Sequence, residues 1–133
     1  MKTRTLFASG LKLAVVAALL APAAAQAGYV NNRDSWLRLS PDAKAGYVQG
    51  MNDSLNYIFS EDSLSNALAK KARIQCLAAQ KTTAAILADR ITTFYRDDRF
   101  ASLAPTAVYI IKMQEVCRTY INDQRAQFGL GPI

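Results

Sequence analysis

Histidine is absent from this 133-residue chain, and that removes more chemistry than any other gap in its composition. Without imidazole, no serine or cysteine nucleophile has its usual general base. Cysteine is scarce as well. Cys76 and Cys117 are the only two, and two thiolates with no histidine would leave a zinc ion under-ligated. None of the six glycines builds a phosphate-cradling loop. Carboxylates pair only as sequence neighbours, Glu61-Asp62 and Asp97-Asp98. Their polar surroundings offer no apolar pocket to drive two pKa values apart. The composition predicts no enzyme, no cofactor and no metal. Repeats, low-complexity tracts and alternating strand patterns are missing too.

The first 27 residues read as a secretory signal peptide rather than as part of the fold. Lys2 and Arg4 give a basic start, Leu13–Ala25 is apolar, and Ala25-Gln26-Ala27 offers small residues to a signal peptidase. That run is shorter than the roughly 20 residues a bilayer needs, and Pro22 breaks its end. A periplasmic protein with no membrane anchor is therefore expected. Its mature part, residues 28–133, is one domain's worth of chain. Losing Lys2, Arg4 and Lys12 leaves 13 basic and 10 acidic side chains, a net charge of +3. Those basic residues are dispersed apart from Lys70, Lys71 and Arg73, so nucleic acid meets no basic face. That trio reads as a solvated helix end, with an anion site as its rival.

In an oxidising periplasm, two cysteines most simply make one disulfide; two free thiols are the alternative. Closing a loop of about 40 residues would contribute on the order of 4 kcal/mol in the chain-entropy model. In a domain of this size that is a large share of the total stability.

The expected fold is a small all-α domain of four or five helices clasped by that disulfide. Asp34 can cap a short N-terminal turn carrying Trp36, the only tryptophan, as a buried anchor. Ser40-Pro41-Asp42 is a helix start: serine caps, proline suits the first position, and aspartate complements the dipole. Val48, Met51, Leu55, Ile58 and Phe59 then recur at helical spacing, which predicts a helix from about Pro41 to Phe59. Gly46 and Gly50 share one of its faces, each at a cost of roughly 1 kcal/mol against alanine. Close approach of another helix would offset that cost. Asp62 or Ser63 can cap the next helix, and the stretch on to Cys76 fits helix or extended chain equally. Thr82 or Thr83 caps another, with Ala84, Leu87, Ala88, Ile91, Phe94 and Tyr95 as its buried face. Pro105 opens a last helix expected to run to about Gln127, where Gly129, Gly131 and Pro132 end it.

Tyr95-Arg96-Asp97-Asp98-Arg99-Phe100 joins the two clasped helices and is the candidate contact surface for a protein partner. Two arginines and two aromatics are the types enriched at interface hot spots, and a stiffened loop loses less freedom on binding. The competing reading is a solvated turn in which Phe100 tucks into the core.

The chain resembles the Tai-type immunity proteins, the small periplasmic partners of type VI secretion amidases. The resemblance rests on Tyr47-Val48-x-Gly50, Cys76, Thr83 leading into a helix that ends at Tyr95, Pro105 opening the last helix, and Cys117. It implies a disulfide-clasped helical domain, often a homodimer, that binds and blocks a peptidoglycan amidase. This chain departs by running on through Arg118–Gln127. An acid-stress chaperone of the Hde type is the alternative, with a small helical domain, one disulfide and an early tryptophan. In that family the tryptophan lies beside a cysteine, whereas Trp36-Leu37-Arg38 has none.

Overall fold

A helix leaves its first amides unpaired, and local side chains at most of these helix starts answer that need. The computed structural model describes residues 29–133; the expected signal peptide, residues 1–27, lies outside them. Six α-helices and no strand occur among the described residues: α1 (Arg33–Leu37), α2 (Pro41–Asn56), α3 (Leu64–Ala79), α4 (Ala84–Phe94), α5 (Pro105–Val116) and α6 (Arg118–Ala126). None is long and apolar enough to cross a membrane.

Ser40, Ser63 and Thr83 accept from the backbone amides of Ala43, Asn66 and Ile86 and so start α2, α3 and α4. Proline stands at the start of α2 and α5, where its missing N–H costs nothing. The cap of α1 is Asn32, not Asp34. Asn32 Oδ1 accepts from the Ser35 amide at 2.8 Å while Ser35 Oγ accepts from the Asn32 amide at 3.1 Å, a reciprocal box. Asp34 instead sits in the first turn, where its charge complements the dipole.

α2 packs chiefly on α4, and α3 on α6; α5 bridges α4 and α6. Trp36, Val48, Ala72, Ile91, Tyr109, Met113 and Ile121 fill the centre. Trp36 is fully buried, donates to Thr92 Oγ1 at 3.0 Å, and lies edge-on to Tyr47, so it docks α1 onto the bundle. Cys76 and Cys117 are bonded, with Cα atoms 5.7 Å apart, and both are buried. The bond fastens α3 to the point where α5 ends. There the backbone leaves helical geometry (φ −101°, ψ 14°) and the chain starts again as α6. One continuous helix to Gln127 is thus replaced by two, hinged at the bonded cysteine. That break, and the separate α1, raise the helix count above four or five.

α2 also ends earlier than its apolar spacing predicts. Tyr57 is already extended (ψ 127°), and Ile58 and Phe59 are exposed rather than part of the core stripe. The reason is a polar contact with α3. Arg73, only 5% exposed, donates from Nε to Asn56 Oδ1 at 2.7 Å and from Nη2 to the Leu55 carbonyl at 3.2 Å. Asn56 Nδ2 donates to the Tyr109 hydroxyl at 2.8 Å and to Asn52 Oδ1 at 2.9 Å, so four helical side chains close one buried network. Burial pulls the Arg73 pKa down, and the Tyr109 hydroxyl raises it. No carboxylate pairs with Arg73 among the described residues. The negative end of the α2 dipole, at Leu55 and Asn56, stands in for one. The Lys70–Arg73 trio is therefore not a solvated end: Lys71 is exposed, Arg73 buried, and Lys70 ion-paired.

Gly46 and Gly50 are exposed, and a Cβ at either would meet nothing within 4 Å. The expected close helix contact is not made there. Glycine's conformational freedom is needed at Gly129 instead (φ +69°), where Leu130 and Gly129 amides reach back to the Arg125 and Ala126 carbonyls. The end of α3 has the same geometry without glycine. Lys81 (φ +50°) and Thr82 donate back to Ala78 and Leu77.

Candidate functional site

The loop 95–100 turns its aromatics inward. Tyr95 is 1% exposed, donates its hydroxyl to the Leu103 carbonyl at 2.7 Å, and lies 6.5 Å from the Trp36 ring. Burial, helped by Tyr47, pushes its pKa up to about 12. Such a side chain cannot touch a partner. Phe100 is half-buried, with Lys112 Nζ 5.2 Å from its ring centre.

Three of the loop's four charges are spent in ion pairs. Arg99 grips Asp97 through Nε and Nη2, the shorter bond 2.6 Å, and the Arg99 amide donates to Asp97 Oδ1. The guanidinium bonds, then that amide, hold the Asp97 carboxyl down at about 2. Arg33 Nη1 reaches Asp98 at 2.6 Å and the Tyr95 carbonyl at 3.3 Å, while the Arg33 amide donates to Ala101. The segment is a strap that ties α1 to the α4–α5 turn. Of the six residues proposed as a contact surface, Arg96, Asp98 and Arg99 stay exposed; Tyr95, Asp97 and Phe100 are buried or half-buried.

The connection between α2 and α3 has the opposite character. Tyr57 is 62% exposed and Phe59 53%, with Ile58, Leu64 and Ile74 also open to solvent. The two rings meet edge to face, centroids 4.8 Å apart. The turn beneath them is tightly held. Asp62 Oδ2 accepts from the Phe59 amide at 2.9 Å and from Lys70 Nζ at 2.6 Å, and Lys70 also donates to the Tyr57 carbonyl at 2.9 Å. Lys70 Nζ lies 5.0 Å from the Phe59 ring centre. Lys70 first, then the Phe59 amide, lower the Asp62 pKa. A cleft of about 430 Å³ opens beside this corner, walled by Asn52, Asp53, Asn56, Tyr57, Ile58 and Ile74.

Apolar side chains held out on a pinned turn suit contact with another surface. Among the described residues no three His, Cys, Asp or Glu side chains gather where a metal could sit. The sequence did carry a signal for this corner: Tyr57-Ile58-Phe59 is a contiguous apolar triplet directly ahead of Ser60-Glu61-Asp62-Ser63. Helical spacing absorbs two of the three and hides it. Comparison of the chain with family models, curated proteins and solved structures finds no match.

Proposed function

We propose that this is an exported protein that works by holding another protein against its α2–α3 corner. The Tai-type resemblance suggests the partner's class, a peptidoglycan amidase whose activity it blocks. The observation that carries the reading is the exposure of Tyr57 and Phe59 on a turn fixed by the Lys70–Asp62 pair. Aromatic residues dominate interface hot spots, and apolar side chains clustered in the open are a mark of binding sites. A turn already held in place gives up little freedom when a partner arrives. The basic start, the apolar run and Ala25-Gln26-Ala27 support a periplasmic place of work. The disulfide suits that oxidising setting.

The test mixes the purified protein with a type VI secretion amidase and peptidoglycan, and follows muropeptide release. Stoichiometric suppression, relieved by Tyr57→Ala with Phe59→Ala, is the expected result. Hydrolysis at the uninhibited rate across such amidases would overturn the assignment. Sedimentation checks the other use of the corner. A dimer dispersed by Tyr57→Ala would mean that a second copy covers it, and the corner would not be the partner face.

A further inference from the structure

We propose that the cleft beside the corner takes a basic side chain, lysine or arginine, from the bound protein. The inference rests on the reading of this corner as a partner face and specifies what the partner inserts there. The walls divide by chemistry: Tyr57, Ile58 and Ile74 are apolar, while Asp53, Asn52 and Asn56 are polar. Asp53 is exposed and makes no ion pair among the described residues. Two of the three nearby cations are engaged elsewhere. Lys70 is neutralised by Asp62, and Arg73 is turned onto Asn56 and the Leu55 carbonyl at the end of α2. Asp53 carries the one formal charge among the residues that wall the cleft.

A long basic side chain matches this division. Its aliphatic stem can lie along Ile58 and Ile74 while its head reaches the Asp53 carboxylate. The Tyr57 ring offers a second attraction to a cation. The same corner already holds one cation over an aromatic face, Lys70 over Phe59. Lys71 stands one helical turn before Ile74 and is exposed, so it would oppose an incoming charge.

The test needs no partner protein, so its failure is distinct from failure of the binding role. Amide NMR signals are followed while Nα-acetyl-arginine N-methylamide is added at millimolar concentration, with the norleucine and glutamate analogues as controls. The arginine compound is expected to move the signals of Asp53, Asn56, Ile58 and Ile74 saturably, and neither control to match it. Asp53→Asn should weaken that binding about two- to fivefold, the scale of one exposed ion pair. Asp53→Lys should abolish it, and Lys71→Ala should strengthen it, with Trp36 fluorescence confirming that each variant is folded. Equal shifts from the norleucine analogue, no saturable shift, or indifference to Asp53→Asn would each overturn the proposal. So would shifts of the same signals on concentrating the protein alone, because the occupant would then be a second copy.

Discussion

Lys70 and Asp62 meet at 2.6 Å across the α2–α3 corner, and both side chains are largely buried. The carboxylate oxygen that takes the ammonium also takes the Phe59 amide, so one charge pair sets the backbone under both exposed rings. The Asp62 pKa is lowered in the fold. The stabilisation is therefore fully present above the ordinary value of 3.8 and is lost as pH falls through the lower folded value. An NMR pH titration is expected to show the Phe59 amide changing only below the ordinary aspartate value. With Asp62→Asn the corner should be loosened at every pH. A Phe59 transition at or above the ordinary aspartate value would contradict this.

Removing Arg73 should be far more damaging than removing its neighbour Lys71. Arg73→Met leaves Asn56 Oδ1 and the Leu55 carbonyl without their donor, at about 1–3 kcal/mol for each buried group unpaired. Lys71→Ala should change stability by less than about 0.5 kcal/mol, as surface substitutions do. Urea unfolding of the two variants provides the comparison. Equal midpoints would mean that Arg73 is not structural.

Glycine stands where this fold does not need it and is missing where it would help. Gly46→Ala and Gly50→Ala should each stabilise by about 0.5–1 kcal/mol, because both sites are helical with open space around them. Lys81→Gly should also stabilise, by up to about 1 kcal/mol, by relieving the left-handed backbone at the end of α3. Thermal melts of the three single variants measure this directly. A lower Tm for Gly50→Ala would show that its face is covered in solution.

Most of the fold can be read locally in the chain. Ser40-Pro41, Thr83 and Pro105 mark helix starts, and two cysteines in a chain expected to be exported suggest a bond. What stays hidden depends on partners distant in sequence. Nothing near Asn56 announces that Arg73 and Tyr109 will hold it, so the apolar spacing overruns the end of α2 onto Ile58 and Phe59. Lys70, Lys71 and Arg73 look like one basic cluster because sequence adjacency ignores the turn of a helix. Each residue steps about 100° around the axis, which sends Arg73 inward and Lys71 outward. The loop 95–100 has the composition of an interface, but composition does not reveal that Arg99 would turn back to Asp97, or Arg33 to Asp98. The break at Cys117 likewise follows from a tertiary restraint.

Reduction should weaken the domain substantially. The bond spans 41 residues of chain, and its removal by Cys76→Ser with Cys117→Ser is expected to cost about 2–5 kcal/mol. The urea midpoints of the reduced protein and of the double variant should agree with each other and lie well below that of the oxidised protein. A reductant-insensitive midpoint would mean that helix packing alone carries the clasp.

The central claim is that the partner is held at the α2–α3 corner and not at the strap between α4 and α5. Calorimetry of amidase binding to Tyr57→Ala/Phe59→Ala and to Arg96→Ala/Arg99→Ala, side by side, tests it most directly. The corner variant is expected to lose about 30-fold or more in affinity, corresponding to about 2 kcal/mol or more at hot-spot aromatics. The strap variant should bind like the parent protein, and the corner variant should keep its Tm. The reverse pattern, with the corner variant unimpaired and the strap variant weakened, would contradict the account.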